Sequence, residues 1–146
     1  MIPGILLVTF FLDQLSKFLI LKTLSAGRPV SVLPPFFDLT LVHNTGIAFG
    51  LLRDQAPLLF FVNILILAVL FALIALRLFR RPILQIGIGM IAGGGLGNLA
   101  DRLRFGHIVD FLDFHFGAFH WPVFNIADSA ICVGTALLLV ALLRKR

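Results

Sequence analysis

The residues best equipped for chemistry are aspartates gathered in one part of the chain. The chain has seven acidic residues, all of them Asp, and four lie between Gly93 and Asp128. These four are Asp101, Asp110, Asp113 and Asp128. Two carboxyl groups held close together share one proton, so one can take a proton from water while the other polarises a carbonyl oxygen. Such a pair could hydrolyse a peptide bond without a covalent intermediate.

Amide and guanidinium side chains near these aspartates could order such a pair. Asn98 and Arg102 are four residues apart and Asn125 and Asp128 are three apart, so each couple shares a helical face. Asn44 lies in a glycine-containing stretch that predicts a turn. Spacing alone leaves two interpretations open: a catalytic pair, or a structural network in which buried polar groups satisfy one another.

Other site chemistries are less well supported by the motifs. His107, His115 and His120 are spread through an aromatic stretch without an HExxH pattern, so we predict no metal and no cofactor. Ser129 lacks the G-x-S-x-G context of a nucleophilic serine. Cys132 lies inside an apolar run, where packing is the expected role.

The composition indicates an integral membrane protein. The 146 residues are 60% hydrophobic and 13% charged, against about 45–50% and about 25% in soluble domains. Mean hydropathy is +1.07. The net charge of +5 does not indicate nucleic-acid binding, because half of the basic residues sit beside the ends of apolar runs, where charge sets membrane topology.

Four apolar runs predict an all-α integral membrane protein with four transmembrane helices. The spans are expected at about 2–21, 56–76, 83–101 and 124–143, within a single membrane domain covering 1–146. Asp13 and Lys17 are four apart in the first span and can pair. In the third span, Gly93 and Gly97 predict close packing between helices.

Two segments between the spans are expected outside the membrane. Alternation with period two in 25–54 predicts one or two short hairpins, a small extracytoplasmic β region. The stretch 103–122 is interpreted as an extracytoplasmic loop whose aromatic residues lie at the membrane interface. Densely basic segments at 77–81 and 144–146 place both termini in the cytoplasm and the aspartate-rich stretch on the opposite side.

Five motifs in register resemble bacterial lipoprotein signal peptidase, the signal peptidase II family. They are DQLSK at 13–17, HNTGIAFG at 43–50, GGLGNLADR at 94–102, GHIVDF at 106–111 and FNIADS at 124–129. The resemblance implies an aspartic endopeptidase of the bacterial inner membrane. It would remove signal peptides from prolipoproteins, cutting before a cysteine that carries a diacylglyceryl group. The 28–54 stretch resembles the family's small β-cradle.

The same resemblance implies roles for individual residues. Asp110 and Asp128 match the catalytic dyad, and Asp113 falls outside it as a structural or rim residue. The residues that match the ordering or substrate-binding positions are Asn44, Asn98, Arg102, Asn125, Asp13 and Lys17. The implied partners are the lipidated prolipoprotein and membrane lipid, with no nucleic acid and a monomeric enzyme.

Without the resemblance, the residues are also compatible with two functions other than proteolysis. In a transport protein, Asp13, Lys17, Asp110 and Asp128 would relay protons. In a non-catalytic assembly factor, the same polar cluster would only hold helices together. Transport without proteolysis would identify the first. The second would show itself if Asp→Asn changes altered stability but no activity.

Overall fold

The computed structural model describes residues 1–46, 55–117 and 119–143, and most of them are helical. The helices are α1 (Ile2–Thr23), α2 (Ala56–Ala75), α3 (Pro82–Phe105) and α4 (Ile126–Leu143). All four are long and apolar enough to cross a membrane. The predicted fold class, a four-helix membrane protein with a small sheet, is therefore confirmed.

Helix α3 is the centre of the bundle and packs against α1 on one side and α4 on the other. Its glycines make this approach close. A Cβ on Gly93 would lie 2.6 Å from the carbonyl oxygen of Leu6, and one on Gly94 would lie 2.5 Å from that of Ala127. Because backbone atoms cannot yield as side chains do, only glycine fits at these positions. The predicted close packing of the glycine-rich span is confirmed.

Helix α2 packs chiefly against α3 and turns much of its surface outwards. Among its described side chains Leu59, Leu67 and Leu70 are buried, whereas Phe61 and Leu65 are about two-thirds exposed. Its polar side chain, Asn63, donates a 3.4 Å hydrogen bond from its amide to the Gly95 carbonyl oxygen of α3.

A four-stranded antiparallel sheet lies outside the helices, in the order β1-β2-β3-β4. Its strands are β1 (Val30–Leu33), β2 (Phe37–Asn44), β3 (Ile108–Phe116) and β4 (Phe119–His120). Strands β1 and β2 form the hairpin predicted in 25–54, and residues 47–54 of that region lie outside the described residues. Leu39 faces Leu112 and Val42 faces Asp110, so β2 carries one extra residue, a bulge, between these pairs.

The interpretation of 103–122 as a loop was wrong. Helix α3 continues to Phe105 and ends at Gly106, whose φ of 75° is the left-handed conformation that glycine adopts readily. The chain then enters β3, whose first four residues, Ile108 to Phe111, are buried. Aromatic and branched residues favour strands when a partner strand is present, and β2 supplies that partner from a distant part of the sequence.

Candidate functional site

Asp128 is positioned by the way in which α4 begins. The Asn125 side-chain oxygen accepts the backbone N–H of Asp128 at 2.9 Å, and the Asp128 carboxylate accepts the backbone N–H of Asn125 at 3.3 Å. This reciprocal arrangement is a capping box, formed here with Asn and Asp. It fixes the carboxylate at a helix N-terminus, where the backbone dipole favours negative charge.

Asp110 is positioned by β3 and is almost fully buried, at 1% exposure. Its two carboxylate oxygens accept amide hydrogen bonds from different elements. Asn44 at the end of β2 donates to Oδ2 at 2.8 Å, and Asn125 donates to Oδ1 at 2.7 Å. The sheet and the start of α4 therefore hold this carboxylate between them.

The two carboxylates meet around Asn125, which bonds to both of them. Asn98 of α3 adds a 2.8 Å hydrogen bond from its amide to Oδ1 of Asp128. Burial, and next the neighbouring charge of Asp128, raise the pKa of Asp110 to about 6, although the Asn44 and Asn125 hydrogen bonds oppose the change. The pair is thus able to hold one proton near neutral pH.

Both carboxylates open onto a cleft of about 620 Å³. Asn44, Asn98 and Arg102 line it beside the carboxylates, and the Arg102 guanidinium interacts electrostatically with both aspartates of the pair. Its apolar walls come from α2, α4 and the stretch before α4, with Leu59, Val62, Ile66, Ile131 and Trp121 among them. The cleft therefore combines a charged end with apolar sides.

Behind the cleft lies a buried ionic cluster built on Lys17, which is 2% exposed. Its ammonium group contacts Asp13 at 2.9 Å, Asp101 at 2.8 Å and the side-chain oxygen of Asn98 at 3.0 Å. An ammonium group has three N–H donors, and these three contacts account for all of them. The second oxygen of Asp13 accepts the backbone N–H of Ala127 at 2.9 Å and so holds the first turn of α4.

The structure brings the predicted site residues into two adjoining layers. Asp110, Asp128, Asn44, Asn98 and Arg102 line the cleft. Three others support them from behind; these are Asn125, Asp13 and Lys17.

Two members of the supporting layer were missed. Asp101 bonds to Lys17 and to the backbone N–H of Val109, and Gln14 bonds to both Asp13 and Asp101. Asp101 lies three residues after Asn98 on the same helical face, which was an available signal.

The remaining polar residues of the sheet lie away from the cleft. Asp113 faces Asp38 across β2 and β3 and accepts a hydrogen bond from the Thr40 hydroxyl at 2.8 Å. Within residues 1–46, 55–117 and 119–143, no group of three or more His, Cys or Asp side chains is arranged to hold a metal ion.

Comparison with known families and proteins gives consistent matches. The family model described as signal peptidase (SPase) II matches residues 5–144. The chain is 46% identical over 140 residues to the lipoprotein signal peptidase of Pelotomaculum thermopropionicum, covering 95% of this chain and 89% of that protein. It is 45% identical over 132 residues to the one from Syntrophotalea carbinolica, covering 88% and 82%.

Solved structures also match over nearly the whole chain. One, described as a bacterial membrane enzyme solved in meso at 2.3 Å resolution, superposes with a TM-score of 0.90 at 32% identity, covering 98% of this chain and 87% of that one. A second, of the same description at 1.9 Å, gives a TM-score of 0.88 at 32% identity, covering 99% and 94%.

Proposed function

Since the chain belongs to the signal peptidase II family, we propose that it is an aspartic endopeptidase that removes signal peptides from diacylglyceryl-modified prolipoproteins, cutting before the lipidated cysteine. Asp110 and Asp128 are the proposed catalytic residues. The observation that carries this proposal is their convergence on Asn125 at one wall of a single cleft. A transport or assembly role is not favoured, because the family's relatives are named as lipoprotein signal peptidases.

The proposed reaction uses one ionised and one protonated carboxyl group. The ionised carboxylate removes a proton from a water molecule as the water oxygen bonds to the scissile carbonyl carbon. The protonated carboxyl gives its proton to the carbonyl oxygen, which forms a neutral tetrahedral diol. When the C–N bond breaks, the carboxyl that took the proton from water gives it to the leaving nitrogen. The other carboxylate takes back a proton from a hydroxyl group of the diol. Both groups then return to their starting states.

The walls of the cleft suit a substrate that arrives from the membrane. Apolar side chains of α2 and α4 would contact the signal segment, while the carboxylates and Arg102 face the polar peptide bond. Asn44 and Asn98 each donate to a carboxylate and so keep the two groups oriented as the peptide enters. Hydrolysis needs water, and the carboxylates lie at the end of the bundle that carries the sheet, with Asp110 on β3 and Asp128 in the first turn of α4.

We further propose the arrangement of this enzyme in the bacterial inner membrane. Residues 1–146 act as a single monomeric membrane domain in contact with lipid, both termini face the cytoplasm, and the cleft opens on the extracytoplasmic side. Arg28 and Arg80 lie at opposite ends of the bundle and both are exposed. In a Cys132→Ala background, a membrane-impermeant maleimide should label Arg28→Cys in intact spheroplasts and should not label Arg80→Cys. The reverse pattern would invert the orientation.

The test of the activity is cleavage of a diacylglyceryl-modified prolipoprotein by the purified protein in detergent, followed by gel shift. Asp110→Asn and Asp128→Asn should each lose at least about a thousandfold in rate, because neither variant retains the carboxyl pair. Asp113→Asn is the matched control, since Asp113 lies on the same strand as Asp110 but away from the cleft. It should keep near-normal activity.

Two results would overturn the proposal. One is normal cleavage by either dyad variant. The other is failure of the unmodified protein on a lipidated substrate that another signal peptidase II cuts under the same conditions.

A further inference from the structure

The two carboxylates of the proposed dyad have different surroundings. Among the residues that the structure describes, the donors to Asp110 are two neutral amides, those of Asn44 and Asn125. Asp128 lies in the first turn of α4, where the helix dipole favours an anion. It also accepts from Asn98, whose own side-chain oxygen is bonded to the Lys17 ammonium group. The surroundings of Asp128 therefore favour a negative charge more than those of Asp110.

Lys17 determines which way the Asn98 amide points. The Asn98 oxygen accepts from Lys17 at 3.0 Å and from the Asn125 amide at 3.2 Å, which leaves its NH₂ group to donate to Asp128 at 2.8 Å. An ammonium group has no acceptor, so a reversed Asn98 amide would face Lys17 with its own donors. Lys17 thus holds Asn98 in the orientation that stabilises an ionised Asp128.

The Lys17 ammonium is itself held in place on both sides. Asp13 from α1 and Asp101 from α3 each accept one of its hydrogens, and both carboxylates are at most 1% exposed. Among the described residues, the charged groups that interact with the dyad are Asp13 and Lys17 from α1 and Arg102 from α3, and Asp101 lies beside both cations. Of the two cations, Lys17 is the one that contacts an amide bonded to Asp128.

We propose that Lys17 is a positioning residue which, through Asn98, keeps the negative charge of the pair on Asp128 and leaves the proton on Asp110. This inference rests on the proposed function and assigns the two roles within it. Asp128 removes the proton from water, and Asp110 donates its proton to the carbonyl oxygen. The raised pKa of Asp110, to about 6, agrees with its holding the proton.

The first experiment compares Lys17→Met with a matched control. Gln14→Met removes hydrogen bonds to Asp13 and Asp101 but leaves the contact between Lys17 and Asn98. Lys17→Met should lower kcat about 10- to 100-fold with little change in KM. The acid limb of its kcat–pH profile should move up by about one pH unit, because losing a nearby cation makes the base easier to protonate. Gln14→Met should keep the limb in place.

Conservative and compensating variants separate positioning from folding. Lys17→Arg keeps the charge and should leave the acid limb near its original pH. Lys17→Met leaves the buried carboxylates of Asp13 and Asp101 without their cation, and adding Asp101→Asn removes one of these two charges, so the double variant is less destabilised than the single one. The double variant should fold and still show the shifted limb. An unshifted limb in folded Lys17→Met or in the double variant would overturn the proposal, as would an equal shift in Gln14→Met.

An infrared measurement tests the charge assignment without any activity. At about pH 5 the protonated-carboxyl stretching band should weaken in Asp110→Asn and persist in Asp128→Asn, since Asp110 is the assigned proton carrier. The opposite result would overturn the assignment. If the unmodified protein cleaves no lipidated substrate, the proposed function fails, but the infrared result still decides where the proton lies.

Discussion

Helices α2 and α3 are both long and apolar enough to span a membrane, but they differ in how much of their surface packs inside the protein. The most apolar stretch of α2 has a mean hydropathy of 3.1 and only 17% of it is buried, whereas that of α3 has 1.4 and 44%. Lipid is as apolar as leucine, so hydrophobicity does not draw helices together in a membrane. Close approach and polar contacts do so, and α3 has the glycines and the Asn98–Asp101–Arg102 group.

The comparison assigns each helix a part in the site. Helix α3 holds Asn98 and the partners of Lys17, and it sets the distance to α1 and α4. Helix α2 forms an apolar wall of the cleft with Leu59, Val62 and Ile66. Substitutions on α3 should therefore affect both folding and activity, whereas those on α2 should act weakly on folding.

The largest effect is expected for Gly97→Ala on α3. The added Cβ would collide with the carboxylate of Asp13 and disturb its pairing with Lys17. Overpacking together with a damaged buried ion pair should lower the free energy of unfolding by about 4 kcal/mol. Thermal unfolding in detergent should show a clearly lower midpoint, and cleavage should be strongly reduced. A midpoint equal to that of the unmodified protein would show that the α1–α3 contact can widen freely.

The second-largest effect is the pH dependence of the free energy of unfolding. It should arise at the polar end of the bundle, where the ionisable side chains lie, because α2 has none. The pKa of Asp110 is about 6 in the folded protein against an ordinary value of 3.8. Between these values the native state holds more protons than the unfolded state, so this group lowers stability as pH rises, by roughly 3 kcal/mol in total.

Asp110→Asn removes this carboxyl group and should therefore remove its contribution to the pH dependence of stability. Thermal midpoints in detergent, taken from about pH 4 to about pH 7, should fall more steeply for the unmodified protein than for the variant. Parallel curves would mean that Asp110 ionises at its ordinary pKa in the folded protein. Asp113→Asn provides the control on the same strand.

A smaller effect is expected for Gly95→Ala, one residue from a glycine that contacts the α4 backbone. A Cβ on Gly95 would meet the end of the Leu67 side chain on α2 at 3.0 Å, and that methyl group can move. We expect a cost of less than about 1 kcal/mol. Gly94→Ala is the comparison, because its Cβ would press on the Ala127 carbonyl oxygen. Equal losses of thermal stability in the two variants would contradict the difference between the two interfaces.

The smallest effect is expected for Asn63→Leu on α2. The hydrogen bond from Asn63 to the Gly95 carbonyl is long, at 3.4 Å, and such bonds between membrane helices contribute about 0.6 kcal/mol on average. The unfolding midpoint should hardly change. A loss comparable to that of Gly97→Ala would mean that α2 is held as firmly as α1 and α4.

The sequence was sufficient to predict the four helices, because runs of about 20 apolar residues have few other structures available. It was also sufficient for the pair of Asp13 and Lys17, whose spacing of four is a local property. Strand β3 could not be predicted, because its partner β2 lies about 70 residues earlier and no local pattern identifies it.

The site was predictable as a set of residues but not as a set of contacts. The motifs single out Asn98 and Lys17, yet nothing local indicates that one bonds to the other across two helices. The hydrogen bond from Ala127 to Asp13 is hidden for the same reason, since it joins residues 114 positions apart. Packing of α3 between α1 and α4 creates these contacts, and that packing depends on backbone distances.

The extra residue in β2 decides which side of the sheet Asn44 faces. After the bulge Asn44 pairs with Ile108, so it shares a face with Asp110 two residues along β3. Without the bulge, the register set by Leu39 and Leu112 would bring His107 opposite Asn44 and turn its amide to the other face. Deleting one of the two residues between Leu39 and Val42 would leave a regular ladder in which Asn44 still pairs with Ile108, so the bulge is the means by which β2 accommodates its extra residue. The bulge shifts the phase of the side-chain alternation in β2 by one residue. The amide of Asn44 therefore lies on the same face of the sheet as the carboxylate of Asp110 on the neighbouring strand β3.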